Sequence, residues 1–157
     1  MHIHILAIGQ RMPQWISEGY NYYAKRLSNQ FISLHLIEIP TAKRTKNSNT
    51  TKWQREESER LLAATPINSI VIACDMRGIA WSTEEVASYI QKWINERQDI
   101  AIFIGGPDGL APLCLSHADY QWSLSPLTLP HGLVRIVLAE QIYRVSTLLS
   151  GHPYHRG

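Results

Sequence analysis

Apolar and polar positions along the chain fall into two alternating patterns. Five short apolar runs predict buried strands, namely HIHILAIG, FISLHLIEIP, SIVIACD, DIAIFIGG and YQWSLS. Between and after them, residues at helical spacing predict helices after Pro13, over about residues 51–64, after Ser82, from Pro112 and over about residues 132–149. The alternation predicts an α/β fold in a single domain over residues 1–157, with a mostly parallel sheet and helices on both faces.

Two local signals support these assignments. The apolar residues of the first predicted helix recur every three or four positions and share one face: Ile16, Tyr20, Tyr23 and Leu27. Ser82 and Glu85 form a capping box, S-x-x-E, which is typical of a helix start.

Three predicted strand ends form the candidate ligand site, because ligands of open parallel sheets bind beyond the carboxyl ends of the strands. These ends are IACDMRG, FIGGPDG and WSLSPLTLPHG. The third carries Ser123, Ser125 and Thr128 but no G-x-S-x-G elbow, so we expect these hydroxyls to contact a polar small molecule or to cap turns. Such a site would consist mostly of backbone, hydroxyl and apolar groups.

The glycine-rich segment AIFIGGPDGL follows directly from a predicted strand. The spacing of Gly105, Gly106 and Gly109 matches neither the dinucleotide fingerprint nor the P-loop, and no lysine follows. Asp108 would repel a phosphate. We therefore expect the backbone here to approach a neutral or cationic ligand closely, the alternative being a tight turn that needs glycine for its own geometry.

Composition and charge narrow the class of protein. The chain is 45% hydrophobic and 18% charged, and its longest apolar runs are too short to span a bilayer. Without a signal-peptide pattern, we expect a cytoplasmic protein without membrane contact, in which Cys74 and Cys114 stay reduced. The net charge of +2 does not by itself indicate a nucleic-acid partner. The segment TAKRTKNSNTTKWQR is strongly basic, which indicates either a solvated loop or a mobile arm for a phosphate backbone.

Few side chains offer catalytic or metal-binding chemistry. An inert buried thiol is the expected state of Cys74. The H-x-H pair at the start and the H-x-x-H pair at the end each lack a third ligand at convincing spacing, so we expect no metal. Glu140 lies within the last predicted helix, where it would either pair with His131 or be satisfied by Arg135 or Arg144.

Taken together, IGGPDGL, WSLSPLTLPHGLVRIVLAEQIYR and the terminal HPYHR resemble the RlmH family of bacterial SPOUT-class methyltransferases. The likeness spans the whole chain, from AIGQRMPQWI through LIEIPTAKR to the tail. It implies transfer of a methyl group from S-adenosylmethionine to N-3 of a pseudouridine in 23S ribosomal RNA. It also implies a C-terminal trefoil knot, which periodicity alone does not predict.

The resemblance implies a set of cofactor contacts as well. They fall on Cys74, Gly105 and six consecutive loop residues: Leu124, Ser125, Pro126, Leu127, Thr128 and Leu129. The family often has leucine at the position of Cys74, where we expect packing against the adenine. Because S-adenosylmethionine is a sulfonium without phosphate, a glycine loop lacking lysine suits it.

The substrate would be 23S rRNA or an assembled ribosome, so cations and a stacking ring are expected around the target base. The candidates for RNA contact are Lys43, Arg44, Arg144, Tyr154, His155 and Arg156. We expect the segment that holds the first two to be exposed, mobile and without an apolar anchor. No catalytic base is assigned, because His131, Tyr154, His155 or solvent could each accept the N-3 proton.

The last predicted helix is apolar on most sides, which predicts a homodimer; the alternative is a helix internal to one chain. Two other functions stay open at this point. One is a non-catalytic RNA- or ribosome-binding protein with the same fold. The other is a flavodoxin-like nucleotide-binding enzyme, against which the missing phosphate-loop chemistry argues.

Overall fold

A computed structural model describes residues 1–27, 31–46 and 49–156, leaving out the side chain of His155. The described strands are β1 (His2–Ile8), β2 (Ser33–Ile39), β3 (Ser69–Ala80), β4 (Asp99–Ile104) and β5 (Tyr120–Ser123). The described α-helices are α1 (Gln14–Ala24), α2 (Thr50–Ala64), α3 (Thr83–Asn95), α4 (Pro112–His117) and α5 (His131–Ser150). Short 3-10 turns cover Lys25–Leu27 and Pro153–Arg156. Asn47 and Ser48 of the predicted basic loop lie outside the described residues.

The sheet is parallel throughout, in the order β2-β1-β4-β3-β5. One face is covered by α1, α3 and α5, whose core residues include Tyr20, Trp93 and Leu138. The other face is covered by α2 and α4 through Leu61 and Cys114. The predicted α/β fold, with helices on both faces, is therefore confirmed. None of the described helices is long and apolar enough to cross a membrane.

The third strand differs from its prediction. It does not end after SIVIACD but runs on to Ala80, with an irregularity between Cys74 and Ile79. Both of these residues pair with Trp122, so residues 75–78 arch out of the ladder. A Cβ on Gly78 would lie 2.5 Å from the Gln121 carbonyl carbon, which explains the glycine where the arch rejoins the sheet. In the sequence, the segment DMRG did not indicate that strand pairing would resume after it.

The last helix begins beyond the carboxyl edge of the sheet and packs against both α1 and α3. Within α5, no residue before Ser150 is fully exposed. Arg135 is only 1% exposed, and its guanidinium donates to the Gly9 carbonyl at 2.7 Å and to Glu38 at 2.7 Å. A single chain thus buries nine of the twenty residues of this helix and leaves apolar residues such as Leu133, Ile136 and Val137 partly exposed.

Candidate functional site

A pocket of about 710 Å³ opens at the carboxyl edge of the sheet. Its walls come from the arch of β3, the glycine loop after β4, and the segment that joins β5 to α5. This volume is typical of a site for a cofactor-sized molecule. The pocket lies where the three predicted strand ends meet, because parallel strands bring their carboxyl ends to one edge.

The residues predicted to contact the cofactor are nearly all in this pocket. Its lining includes Cys74, Gly105, Leu124, Ser125, Leu127, Thr128 and Leu129. Pro126 belongs to the same segment but is not among the lining residues. One pocket thus brings together residues from three separate parts of the chain.

Several other lining residues were not among the predicted cofactor contacts. The arch contributes Asp75, Met76 and Arg77, and the first turn of α5 contributes His131 and Val134. The strand end IACDMRG was part of the predicted site, but within it only Cys74 was assigned a cofactor contact, because Asp75, Met76 and Arg77 read as a loop after the strand. His131 had a usable signal, since it opens a helix immediately after the predicted ligand loop.

The glycine loop is folded tightly on itself. A Cβ on Gly105 would lie 2.7 Å from the carbonyl carbon of Gly109, and one on Gly106 would lie 2.9 Å from a methyl of Ile8. Gly109 N–H donates to the Gly106 carbonyl at 3.0 Å. The return of the loop thus by itself requires glycine at position 105, as in the tight-turn alternative, and Gly105 also lines the pocket.

Ionisable groups around the pocket are arranged to leave little net charge. Hydrogen bonds from Arg77 lower the pKa of Asp75, and the two side chains form an ion pair of 2.9 Å. Burial raises the pKa of the Cys74 thiol to about 12. Burial, and then the charge of Arg135, lower the pKa of His131. At neutral pH the pocket therefore holds a neutral thiol, a neutral imidazole and one balanced ion pair.

Two buried polar atoms of pocket residues are left without hydrogen-bond partners among the described residues. They are Nε1 of Trp122 and Nδ1 of His131. Unpaired buried polar atoms cost free energy, so their presence in a pocket indicates a site that a polar ligand completes. The described part of the chain has no group of three or more His, Cys, Asp or Glu residues that could hold a metal ion.

The basic segment is anchored, contrary to the prediction. Ala42 is 3% exposed, and Arg60 donates to the Pro40 and Thr41 carbonyls at 2.8 and 3.0 Å. Arg44 forms a 2.7 Å ion pair with Asp108 of the glycine loop. Lys43 is exposed, as predicted. The expected absence of an apolar anchor is therefore wrong, because Ala42 is buried, whereas Lys43 and Arg44 are exposed as predicted.

The candidate RNA contacts of the tail lie at the far end of α5. Tyr154 packs against Tyr143 with ring centroids 4.7 Å apart, and Arg144 lies over the Tyr154 ring at 5.1 Å. Arg144 also pairs with Glu140 at 2.6 Å, which was one of the expected partners of that acid.

The tail and the pocket are well separated within one chain. Arg144 follows the pocket residue Val134 by nearly three helical turns, or about 15 Å along the axis. Arg156 is exposed, and the side chain of His155 lies outside the described part of the chain. One chain therefore does not bring the tail contacts to the pocket.

Comparison with known proteins finds a matching family model and similar proteins that share one name. A family model described as "Predicted SPOUT methyltransferase" matches residues 1–155. A protein of Nitrosococcus oceani named "Ribosomal RNA large subunit methyltransferase H" is 62% identical over 156 residues, covering 99% of each chain. A protein of the same name from Marinomonas sp. is 47% identical over 156 residues, covering 99% of this chain and 100% of its own.

Solved structures show the same fold at low sequence identity. A probable methylase family protein from Haemophilus influenzae superposes with a TM-score of 0.56 at 12% identity, covering 97% of this chain and 69% of its own. A putative methylase family protein from Neisseria gonorrhoeae gives a TM-score of 0.54 at 12% identity, covering 90% and 81%.

Proposed function

Because the chain belongs to the SPOUT methyltransferase family, we propose that it methylates N-3 of a pseudouridine in the 23S ribosomal RNA of the large subunit. Membership brings with it the C-terminal trefoil knot and S-adenosylmethionine as the methyl donor. The substrate is assigned from the 62% identity, over 99% of both chains, to a relative named as a large-subunit ribosomal RNA methyltransferase.

The pocket fits this donor in its size and its charge. Bound there, S-adenosylmethionine supplies a methyl group on a positively charged sulfur. We assign its contacts to Cys74, Gly105 and the loop residues from Leu124 to Leu129. Neutral side chains and the carboxylate of Asp75 suit a sulfonium, and the unpaired atoms of Trp122 and His131 offer polar contacts. These residues position the donor and exclude water, which is the main contribution expected of the protein.

Removal of the N-3 proton needs an acceptor, and we assign it to His131. Its ring lines the pocket, and its lowered pKa keeps the imidazole neutral and ready to accept a proton at pH 7. Tyr154 is a poor acceptor, because burial and then Glu140 raise its pKa to about 12 and keep the phenol protonated. A neutral base of near-neutral pKa is what general base catalysis requires.

A homodimer would reconcile the pocket with the tail. Apolar surface is available for a second subunit, since Trp15 and Tyr22 on α1 are 59% and 56% exposed and lie two turns apart. In a dimer that buries this face, Tyr154 and Arg144 of one chain would stand near the pocket of the other. Light scattering at micromolar concentration tests this, and a monomeric mass would contradict it.

The direct test combines cofactor titration with a methyl-transfer assay. Purified protein should bind S-adenosylmethionine by calorimetry and transfer a labelled methyl group to ribosomes or 23S rRNA from a strain that lacks the protein. A protein that binds ribosomes but neither binds the donor nor transfers methyl groups would instead be the non-catalytic alternative. Bound nucleotide phosphate in the purified protein would favour the flavodoxin-like alternative.

A further inference from the structure

Asp108 stands apart from the rest of the glycine loop. Residues 104–107, 109 and 110 all line the pocket, whereas Asp108 does not. Its carboxylate is directed to Arg44, with Nη2 and Oδ2 2.7 Å apart. An acid beside the pocket therefore interacts with the basic segment and does not line the pocket itself.

Further contacts hold both members of this ion pair. The side-chain amide of Gln54 on α2 donates a hydrogen bond to the Asp108 carbonyl. The Arg44 guanidinium lies over the Trp53 ring, 4.9 Å from its centroid. The two charged side chains are only 36% and 20% exposed, so solvent screens their attraction less than it would at an open surface.

A buried carboxyl group on α2 also contacts both the basic segment and the glycine loop. Glu57 is 2% exposed, accepts from the Ala42 backbone N–H at 3.4 Å, and lies close to Gly106, where a Cβ would be 3.6 Å from its Oε2. Helix α2, the basic segment and the glycine loop thus form one continuous set of contacts. Within it, Arg44 is the side chain that joins the basic segment to the outer tip of the loop.

We propose that Arg44, through its ion pair with Asp108, is a positioning residue of the methyl-donor pocket and not a ligand of RNA phosphate. Three of the loop residues that line the pocket are glycines, so backbone forms part of its pocket face and the shape of that face depends on where the loop is held. Because the pair holds the loop from the side away from the ligand, breaking it lets residues 105–109 move without removing any direct contact. This inference rests on the proposed function, since it takes the pocket ligand to be S-adenosylmethionine.

The test is a double-mutant cycle on donor binding, read by calorimetry with S-adenosylmethionine and no RNA. Arg44→Ala and Asp108→Asn should each raise the dissociation constant about fivefold, and the double variant should be no weaker than either single variant. Arg55→Ala is the matched control, since it removes an arginine from an exposed ion pair on α2. Its dissociation constant should stay within twofold of the wild-type value.

Two further measurements separate positioning from a loss of folding. The charge-reversed pair Arg44→Asp with Asp108→Arg should recover most of the lost affinity. Amide resonances of Gly105, Gly106 and Gly109 should shift in Arg44→Ala before any ligand is added, while thermal unfolding changes by only a few degrees.

Each contrary result has a definite meaning. Additive losses in the cycle would show that Asp108 acts on the donor directly, and the inference would be wrong. It would also be wrong if Arg44→Ala binds the donor normally but binds RNA less tightly, because Arg44 is then a phosphate ligand. Failure of the wild-type protein to bind S-adenosylmethionine would instead overturn the proposed function itself.

Discussion

The two ends of α5 present opposite kinds of polar chemistry. At its first turn, His131 Nδ1 faces no partner among the described residues, and Trp122 Nε1 is likewise unpaired. From the middle of the helix towards its other end, Glu140 accepts hydrogen bonds from Gln141, Arg144 and Tyr154. The first end has space and unused hydrogen-bonding capacity, whereas the second has its polar groups paired with one another.

This difference separates a preformed site from a surface that must rearrange. A ligand in the pocket gains hydrogen bonds that the free protein lacks, so little internal structure has to be broken. RNA that binds at the tail end must compete with Glu140 for Arg144. We therefore expect variants at the pocket end to have larger effects than variants at the tail or the basic segment.

The largest effect should come from His131→Ala. Loss of a general base lowers kcat by about a hundredfold or more, while loss of one hydrogen bond to the donor should weaken donor binding by about tenfold or less. Because the pKa of His131 is lowered from 6.5, the base remains neutral at pH 6.5, and the wild-type rate should fall only at more acidic pH. The rate of the variant should not show this fall at acidic pH. If the variant keeps both the wild-type rate and the fall at acidic pH, another group removes the proton.

Two glycines should differ sharply in their effect on donor binding. Gly105→Ala places a Cβ 2.7 Å from the Gly109 backbone, and should weaken S-adenosylmethionine binding by at least about tenfold. Gly151→Asn is the control, because Gly151 is not a lining residue of the pocket, a Cβ there would meet no contact within 4 Å, and asparagine tolerates the φ of +76°. Its affinity should change by less than about threefold. Equal effects of the two variants in calorimetry would contradict this account of the loop.

Removal of residues 154–157 should produce a smaller and more selective effect. The tail offers a ring and cations for the RNA, and the contacts of its described residues reach no residue of the pocket, so methylation should fall about fivefold with donor affinity unchanged within twofold. Single-turnover rates and calorimetry on the same preparation check both parts. An equal loss in both measurements would mean that the tail supports the donor pocket.

The smallest effect is expected at Lys43, which is exposed and makes no ion pair within the described part of the chain. If it contacts a phosphate, Lys43→Ala should reduce the salt dependence of RNA binding by about one unit of slope in a log–log plot. Donor affinity should stay at the wild-type value, in contrast to Arg44→Ala. An unchanged salt slope would show that this lysine is merely solvated.

Most of the fold could be predicted from the sequence because apolar periodicity reflects burial. The capping box at Ser82 and the helix start after Pro13 were both found as predicted. The continuation of β3 could not be predicted, since pairing of Ile79 and Ala80 depends on the backbone of β5 and not on their own apolar pattern.

The candidate site could be predicted to the level of its strand ends. Parallel topology brings those ends together, and the resemblance named the loop residues that line the pocket. The ion pair between Arg44 and Asp108 could not be predicted, because the two residues are distant in the chain and only the tertiary fold brings them together. The sequence offered a tight turn as one of two reasons for Gly105, but the Gly109 backbone that a Cβ would meet could only be found from the structure.

The most direct test of the central claim is mass spectrometry of 23S rRNA from a strain that lacks this chain. We expect one pseudouridine to lose one methyl group, the wild-type chain to restore it, and Gly105→Ala to restore it poorly. An rRNA methylation pattern identical with and without the chain would contradict the proposed function.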